Sequence, residues 1–354
     1  MKRDASPRGV PLNNGRRAFV ASMCTVAGSM MLSSHVLSAS RAESKGATSE
    51  GLRRFQYVQI DVFTAKRLEG NPLAVFTDAR GLSDIEMQAL ARETNLQETA
   101  FVFPRDHSIE QKEGVKVRIF VPDEEIPFGG HPTLGTAMVL RDSPVQSNTT
   151  VARKTAEIAL DLKIGKVPVT FREDGSDGAF GEMHQVDPEF GPVHDRAAVA
   201  TALDLKPDDI EDGWPIQTIS TGLPFAIVPI RRLGTLESLL PNLSKVYEYL
   251  DRQNPKCDFY YVCRETHDPE IGLRARSIYT IGEDPATGSA AGCTAAWMVK
   301  YGFAQPDQTV HIEQGVEIKR PSHLFVRAAK DGGRITTVRV GGHAVQVMRG
   351  ELFL

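Results

Sequence analysis

The same seven-residue pattern occurs twice in this chain, as His131-Pro132-Thr133-Leu134-Gly135-Thr136-Ala137 and as Asp284-Pro285-Ala286-Thr287-Gly288-Ser289-Ala290, 153 residues apart. Each copy reads as a tight loop entering a helix, with proline at the first helical position and small residues after it. A helix that starts this way points unpaired backbone N–H groups and the positive end of its dipole at whatever precedes it. A second pair, Gly70-Asn71-Pro72-Leu73-Ala74-Val75 and Gly222-Leu223-Pro224-Phe225-Ala226-Ile227, repeats at an offset of 152. Two matches at nearly one offset point to an internal duplication with two similar lobes. The seam between them, where two helix starts meet, is the natural place for an anionic ligand.

The rest of the pattern follows the duplication. In the first half the periodicity predicts strands over 55–63 and 73–76, then a helix capped by Ser83 with Glu86 completing a capping box and ending near Asn95. Strands over 98–103 and 115–121, a Gly-Gly loop with a small-residue helix over 128–141, and a strand over 151–162 complete it. The second half repeats the order with strands over 216–221 and 225–230, a helix over 236–250, strands over 258–264 and 273–279, and a loop and helix over 282–300. Three further strands are expected around 309–317, 324–329 and 334–347. The regular strand–helix alternation of a doubly wound parallel sheet is missing, and the Ala/Gly-rich helices suit a place inside a closely wrapped sheet. The expected class is therefore α+β, with two pseudo-symmetric lobes, each an antiparallel sheet or barrel around a central helix. The expected division is 54–165 for the N-terminal lobe, to which the C-terminal tail can return, and 166–354 for the C-terminal lobe.

Residues 1–42 do not read as part of this fold. Arg16-Arg17-Ala18-Phe19-Val20 opens a mildly apolar stretch that ends in small residues, the pattern of a twin-arginine-like export signal cleaved after Ala39 or Ala42. The expected location is the periplasm. The stretch holds glycine, serines and His35 and little leucine, poor material for a membrane anchor. Met23 stands where a lipoprotein signal has a small residue before its cysteine. These residues carry six basic groups and one acidic one, so the remainder has a net charge near −9 against −4 for the whole chain. An acidic chain without a long basic run argues against a nucleic-acid partner. Beyond the signal, Cys257, Cys263 and Cys293 show no zinc spacing and read as small buried hydrophobes, with a Cys257–Cys263 pairing left open.

Three residues stand out as carriers of chemistry. His131, after Gly129-Gly130, is placed to move a proton or to bond a carboxylate held by the helix N–H groups, or simply to cap the helix. Asp284 occupies the corresponding place in the second copy; alone it reads as an N-cap, but opposite His131 it forms a polar pair able to hold a zwitterion, carboxylate on the N–H groups and ammonium on Asp284. Glu98 stands at the mouth of an apolar strand, where burial raises a carboxyl pKa toward that of a general acid/base; the plain alternative is a surface glutamate. No phosphate loop, dinucleotide fingerprint, nucleophile elbow or H-E-x-x-H is present, and nothing in the sequence requires a metal, a nucleotide or pyridoxal phosphate.

Taken together, Asn95-Leu96-Gln97-Glu98-Thr99, Arg118-Ile119-Phe120-Val121-Pro122, Phe128-Gly129-Gly130-His131-Pro132-Thr133-Leu134-Gly135 and Gly282-Glu283-Asp284-Pro285-Ala286-Thr287-Gly288-Ser289-Ala290 resemble the PhzF family of phenazine-biosynthesis isomerases, as does the segment from Gln314-Gly315 to Arg320-Pro321-Ser322. The likeness runs from about Phe55 to Leu354. It implies the diaminopimelate-epimerase-like fold, a homodimer, and catalysis without metal or coenzyme. It also implies that Glu98 is the acid/base, that His131 and Asp284 assist it, and that Gly130, Gly288 and Ser289 bind the substrate carboxylate. In the phenazine enzyme the glutamate moves a proton between ring carbons of dihydro-hydroxyanthranilate. The related racemases use two opposed cysteines, which this chain lacks: Cys293 lies nine residues beyond Asp284. The expected function is proton-transfer isomerisation of a small amino or hydroxy carboxylic acid, the alternative a non-catalytic periplasmic binder of such acids. The export signal sets the chain apart from cytoplasmic phenazine assembly and points to a different substrate. Fold and site alone do not fix that substrate.

Overall fold

Strand Arg54–Val62 pairs antiparallel with the second half of the long last strand, Arg334–Phe353, so the ends of the described chain close one lobe. The computed structural model describes residues 52–142, 154–280 and 282–354. The expected export signal lies outside the described residues. Going round the first lobe, Arg54–Val62 is followed by Asn71–Phe76, Thr99–Phe103, Val115–Phe120, Glu157–Leu162, Gly165–Glu173 and Ala179–His184, which pairs with the last strand. This makes an eight-stranded closed barrel. The expected boundary at 165/166 falls inside it, because the strands after Leu162 complete the closure, and the crossing to the second lobe comes after His184.

The second lobe repeats the order as an open sheet: Gln217–Ser220, Pro224–Ile230, Asp258–Cys263, Leu273–Arg276, Val310–Gln314, Ser322–Asp331 and the first half of Arg334–Phe353, with Glu189–Val193 on the outer edge. The last strand thus serves both lobes.

Each lobe holds two parallel pairings within its otherwise antiparallel sheet, and the connections explain them, since parallel neighbours need a long crossover. Asn71–Phe76 reaches Thr99–Phe103 through helix Asp84–Thr94, while Pro224–Ile230 reaches Asp258–Cys263 through two short helices. Val115–Phe120 reaches Glu157–Leu162 across helix Gly130–Asp142, and Leu273–Arg276 reaches Val310–Gln314 across helix Gly288–Lys300. Those last two crossovers are the central helices. Every residue from Gly130 to Arg141 and from Gly288 to Val299 is buried, so small side chains are required all round for the sheets to close on them.

Local signals placed the first-lobe helix Asp84–Thr94 well. Ser83 accepts from the Glu86 N–H, the Glu86 side chain answers the Ser83 N–H, and Asn95 ends the helix in left-handed conformation. The helix expected over 236–250 is instead two pieces, Leu233–Glu237 and Leu243–Leu250. Pro241 between them cannot continue a helix, and Asn242 caps the second piece. Proline does not open either central helix. Pro132 is the third residue of the first, and Pro285 lies three residues before the second, whose N-cap is Thr287. Cys257, Cys263 and Cys293 are buried free thiols.

The two helix starts abut through glycine. A Cβ on Gly130 would lie 2.5 Å from both Cα and C of Gly288, and one on Gly288 would lie 3.0 Å from the Gly130 Cα. Backbone cannot retreat as a side chain can, so Gly130→Ala is expected to lower unfolding stability by about 1–3 kcal/mol, the range for overpacking. Urea denaturation of the two proteins measures this, and an unchanged midpoint would show that the lobes are free to separate there.

Candidate active site

Gly130 and Gly288 are 158 positions apart, whereas the sequence repeat runs at 153. In space, therefore, His131 as second residue of the first helix corresponds to Ser289 as second residue of the other, and Asp284 stands on the loop ahead of the second helix. The first bonds back into the helices are Thr133 N–H to Gly129 O at 3.1 Å and Ala291 N–H to Thr287 O at 2.9 Å. The amides of Gly130, His131, Gly288 and Ser289 precede them and have no intrahelical acceptor. All four residues line a cavity of about 430 Å³ between the lobes, together with Glu98 and Asp284. The structure thus brings every candidate site residue of the sequence to one wall system.

Asn71 ties the two helix starts together. Its side-chain N–H group donates to Asp284 Oδ1 at 2.7 Å and to Ala286 O at 2.9 Å, and lies 3.1 Å from His131 Nδ1. Its two hydrogens are shared among these three acceptors; because an amide NH₂ cannot accept, Nδ1 is not the protonated nitrogen, and the neutral ring carries its proton on Nε2. That Nε2 is 3.5 Å from Glu98 Oε2, and both atoms are buried without a hydrogen-bond partner among the described residues. Buried polar atoms without partners are uncommon, and two facing each other in a cavity mark where a ligand's polar groups would go.

The second-lobe loop is held as tightly. Thr287 Oγ1 donates to Asp284 Oδ2 at 2.6 Å, which leaves neither carboxylate oxygen of Asp284 without a protein donor. Gln314 donates to Asp284 O and Thr287 Oγ1 and accepts from the Thr287 N–H and the Tyr260 hydroxyl at 2.8 Å. Gln97, next to Glu98, donates across the lobes to Glu283 O at 3.2 Å. Glu283 in turn makes a two-pronged ion pair with buried Arg276.

Burial dominates the electrostatics. It raises the Glu98 carboxyl well above the usual range, with the Asp284 charge adding to the shift. It pushes Asp284 up to about 7, against the hydrogen bonds from Thr287, Ala286 and Asn71 that act to lower it. His131 is pushed down to about 3. Burial therefore favours the protonated carboxyl of Glu98 and the neutral imidazole of His131 beside it.

Sequence reasoning did not assign Asn71 or Gln314, although both lay in quoted motifs. Asn71 bonds to residues 60 and 213 positions away, and Gln314 to one 54 away. The signal available was the one position at which the two glycine–proline turns differ in kind, asparagine at 71 and leucine at 223.

With this geometry in view, the relatives can be placed. The sequence pattern of the family described as phenazine biosynthesis-like protein (PhzC-PhzF) matches residues 60–350. An uncharacterized isomerase of Mesorhizobium japonicum is 36% identical over 309 residues, covering 84% of this chain and 98% of that protein. The trans-2,3-dihydro-3-hydroxyanthranilate isomerase of Pseudomonas aeruginosa is 33% identical over 313 residues, covering 84% of this chain and 99% of that protein. Among solved structures, a PhzF-family phenazine biosynthesis protein of Bacillus anthracis superposes with a TM-score of 0.74 at 26% identity, covering 85% of this chain and all of that one. A hydroxyproline epimerase of Agrobacterium vitis, 13% identical with a TM-score of 0.59 over 85% of this chain and 93% of that one, shares the fold alone. The class is thus a two-lobed α+β isomerase. The chain belongs to the phenazine biosynthesis-like (PhzC-PhzF) family.

Two measurements check the electrostatics. His131, pushed down to about 3 by burial, is expected to keep one neutral tautomer, protonated on Nε2, from pH 5 to 8 in ¹⁵N NMR; conversion to the imidazolium in that range would show that burial does not control its charge. Asp284 has a folded pKa raised to about 7 from an ordinary 3.8, so its contribution to stability is full below pH 3.8 and is lost as pH rises through 7. Asp284→Asn removes that loss, so the variant should gain stability relative to wild type between pH 5 and 8; a pH-independent difference would mean that Asp284 is ionised throughout.

Proposed function

We propose that this isomerase moves a proton between two atoms of a small amino or hydroxy carboxylic acid, without metal or coenzyme, with Glu98 as general acid/base. The observation that carries the reading is the unpartnered, buried Glu98 carboxyl facing His131 Nε2 in a cavity ringed by two helix starts. In this scheme the amides of Gly130, Gly288 and Ser289, with the Ser289 hydroxyl, hold the substrate carboxylate. Glu98 gives its proton to one atom of the conjugated substrate and takes one from another, so nothing is gained or lost overall. Its high pKa makes the carboxylate formed midway a strong base for the second step. His131 donates from Nε2 to a developing negative charge, and Asp284, through Asn71, keeps the ring in that tautomer.

The naming of the Pseudomonas aeruginosa relative suggests dihydro-hydroxyanthranilate chemistry, and the Arg16-Arg17 leader supports action on another acid met in the periplasm. A homodimer is the assembly proposed. The reported relatives are named as isomerases, and nothing among them favours a non-catalytic binder.

Exchange in D₂O tests the mechanism. Mass spectrometry and NMR with a panel of cyclic and acyclic amino and hydroxy acids, including dihydro-hydroxyanthranilate, should show deuterium entering carbon with wild type. Glu98→Gln should slow this by roughly 10² to 10⁴. Turnover that survives in Glu98→Gln would remove Glu98 from the reaction, and binding without exchange would favour the binder.

A further inference from the structure

The duplication places a counterpart of the Glu98 carboxyl in the cavity. Ala74 of Gly70-Asn71-Pro72-Leu73-Ala74-Val75 pairs in parallel with Thr99, and its counterpart Ala226 of the second copy pairs in parallel with Phe259. The residue ahead of Thr99 is Glu98 and the residue ahead of Phe259 is Asp258. Asp258 therefore holds in the second lobe the place that Glu98 holds in the first, and it lines the same cavity.

Its surroundings differ from those of the other carboxyls there. Both oxygens of Asp284 already have protein donors. No hydrogen bond or ion pair from a described residue engages the Asp258 carboxylate. Tyr279 and Tyr247 line the cavity with it and both feel its charge, Tyr279 those of Asp284 and Glu98 as well. Burial brings Asp258 up to about 6, whereas Glu98, which also feels the Asp284 charge, is raised well above the usual carboxyl range. No described lysine or arginine lines the cavity. A ligand carboxylate there meets backbone N–H groups, hydroxyls, the Gln97 amide and His131 Nε2. For a ligand cation, Asp123 and Glu124 also line the cavity but are exposed, so Asp258 is the half-buried carboxylate of the second lobe that is open to it.

We infer that Asp258 is the specificity residue of this cavity and receives a protonated amine of the substrate, set apart from the carboxylate that the helix starts hold. The substrate class is then an amino acid whose ammonium group reaches across to the second lobe. This replaces Asp284 as ammonium partner, since Asp284 is committed to Asn71 and Thr287. The inference rests on the carboxylate site proposed above.

Isothermal titration calorimetry of the purified full chain at pH 7.5, with cis-3-aminocyclohexanecarboxylate and cyclohexanecarboxylate as probes, tests it. Wild type should bind the amino compound at least about tenfold more tightly, the scale of one charge-assisted contact. Asp258→Asn should bring the two within about twofold, chiefly by weakening the amino compound, and Asp258→Glu should keep the preference. A preference that persists in Asp258→Asn, or is absent in wild type, overturns the inference. Loss of both probes in both variants would make Asp258 structural and also overturns it. If wild type binds neither acid, the carboxylate site falls and this inference with it. Failure of Glu98→Gln to slow deuterium exchange would instead overturn only the acid/base role, leaving the Asp258 preference standing.

Discussion

Nothing larger than hydrogen fits on the Cα of Gly130, because the backbone of Gly288 is already there. From this contact between two helix starts the remaining features follow. It brings two sets of unpaired N–H groups, and two dipole ends of like sign, to one point between the lobes, an arrangement that favours negative charge beside it. The contact needs both sheets to close on helices with small side chains all round, which is why Ala, Gly, Ser and Thr dominate Gly288–Thr294.

The carboxyls gathered at this point show which effect wins. Helix ends and hydrogen bonds act to lower a carboxyl pKa, and Asp284 has three donors doing so, yet desolvation raises it to about 7. Glu98, with no donor, goes well beyond its usual range. Withholding hydrogen bonds from one acid while saturating another gives two similar side chains in one site different environments. Asn71 completes that of Asp284, since one amide group reads the Asp284 carboxylate, the Ala286 carbonyl and the imidazole together.

Divergence of the two lobes is visible at matched positions. Glu98 is matched by Asp258, His131 by Ser289, and Asn71 by Leu223. The first lobe carries the groups suited to moving a proton, and the second carries groups suited to recognition. A closed barrel on one side and an open sheet on the other accompany that division, the last strand giving its second half to the barrel while its first half pairs with the second lobe along one edge and with Ala179–His184 along the other.

The sequence by itself determined the duplication, the α+β class, the small-residue helices and the membership of Glu98, His131, Asp284, Gly130, Gly288 and Ser289 in one region. The duplication, the class and the helices are written in short local patterns such as strand alternation, a capping box and glycines at a helix start, whereas the shared region of those six residues is implied by the family resemblance of the motifs that hold them. Only the tertiary structure decided the register of the duplicated helices, 158 instead of 153, because sheets closing around a helix choose which glycine can touch which backbone. It also decided that Asn71 spans 213 residues to reach Asp284, and that Asp258 stands where Glu98 does. Those are matters of strand pairing and close approach between distant segments, and no local pattern encodes a partner that is distant in the chain.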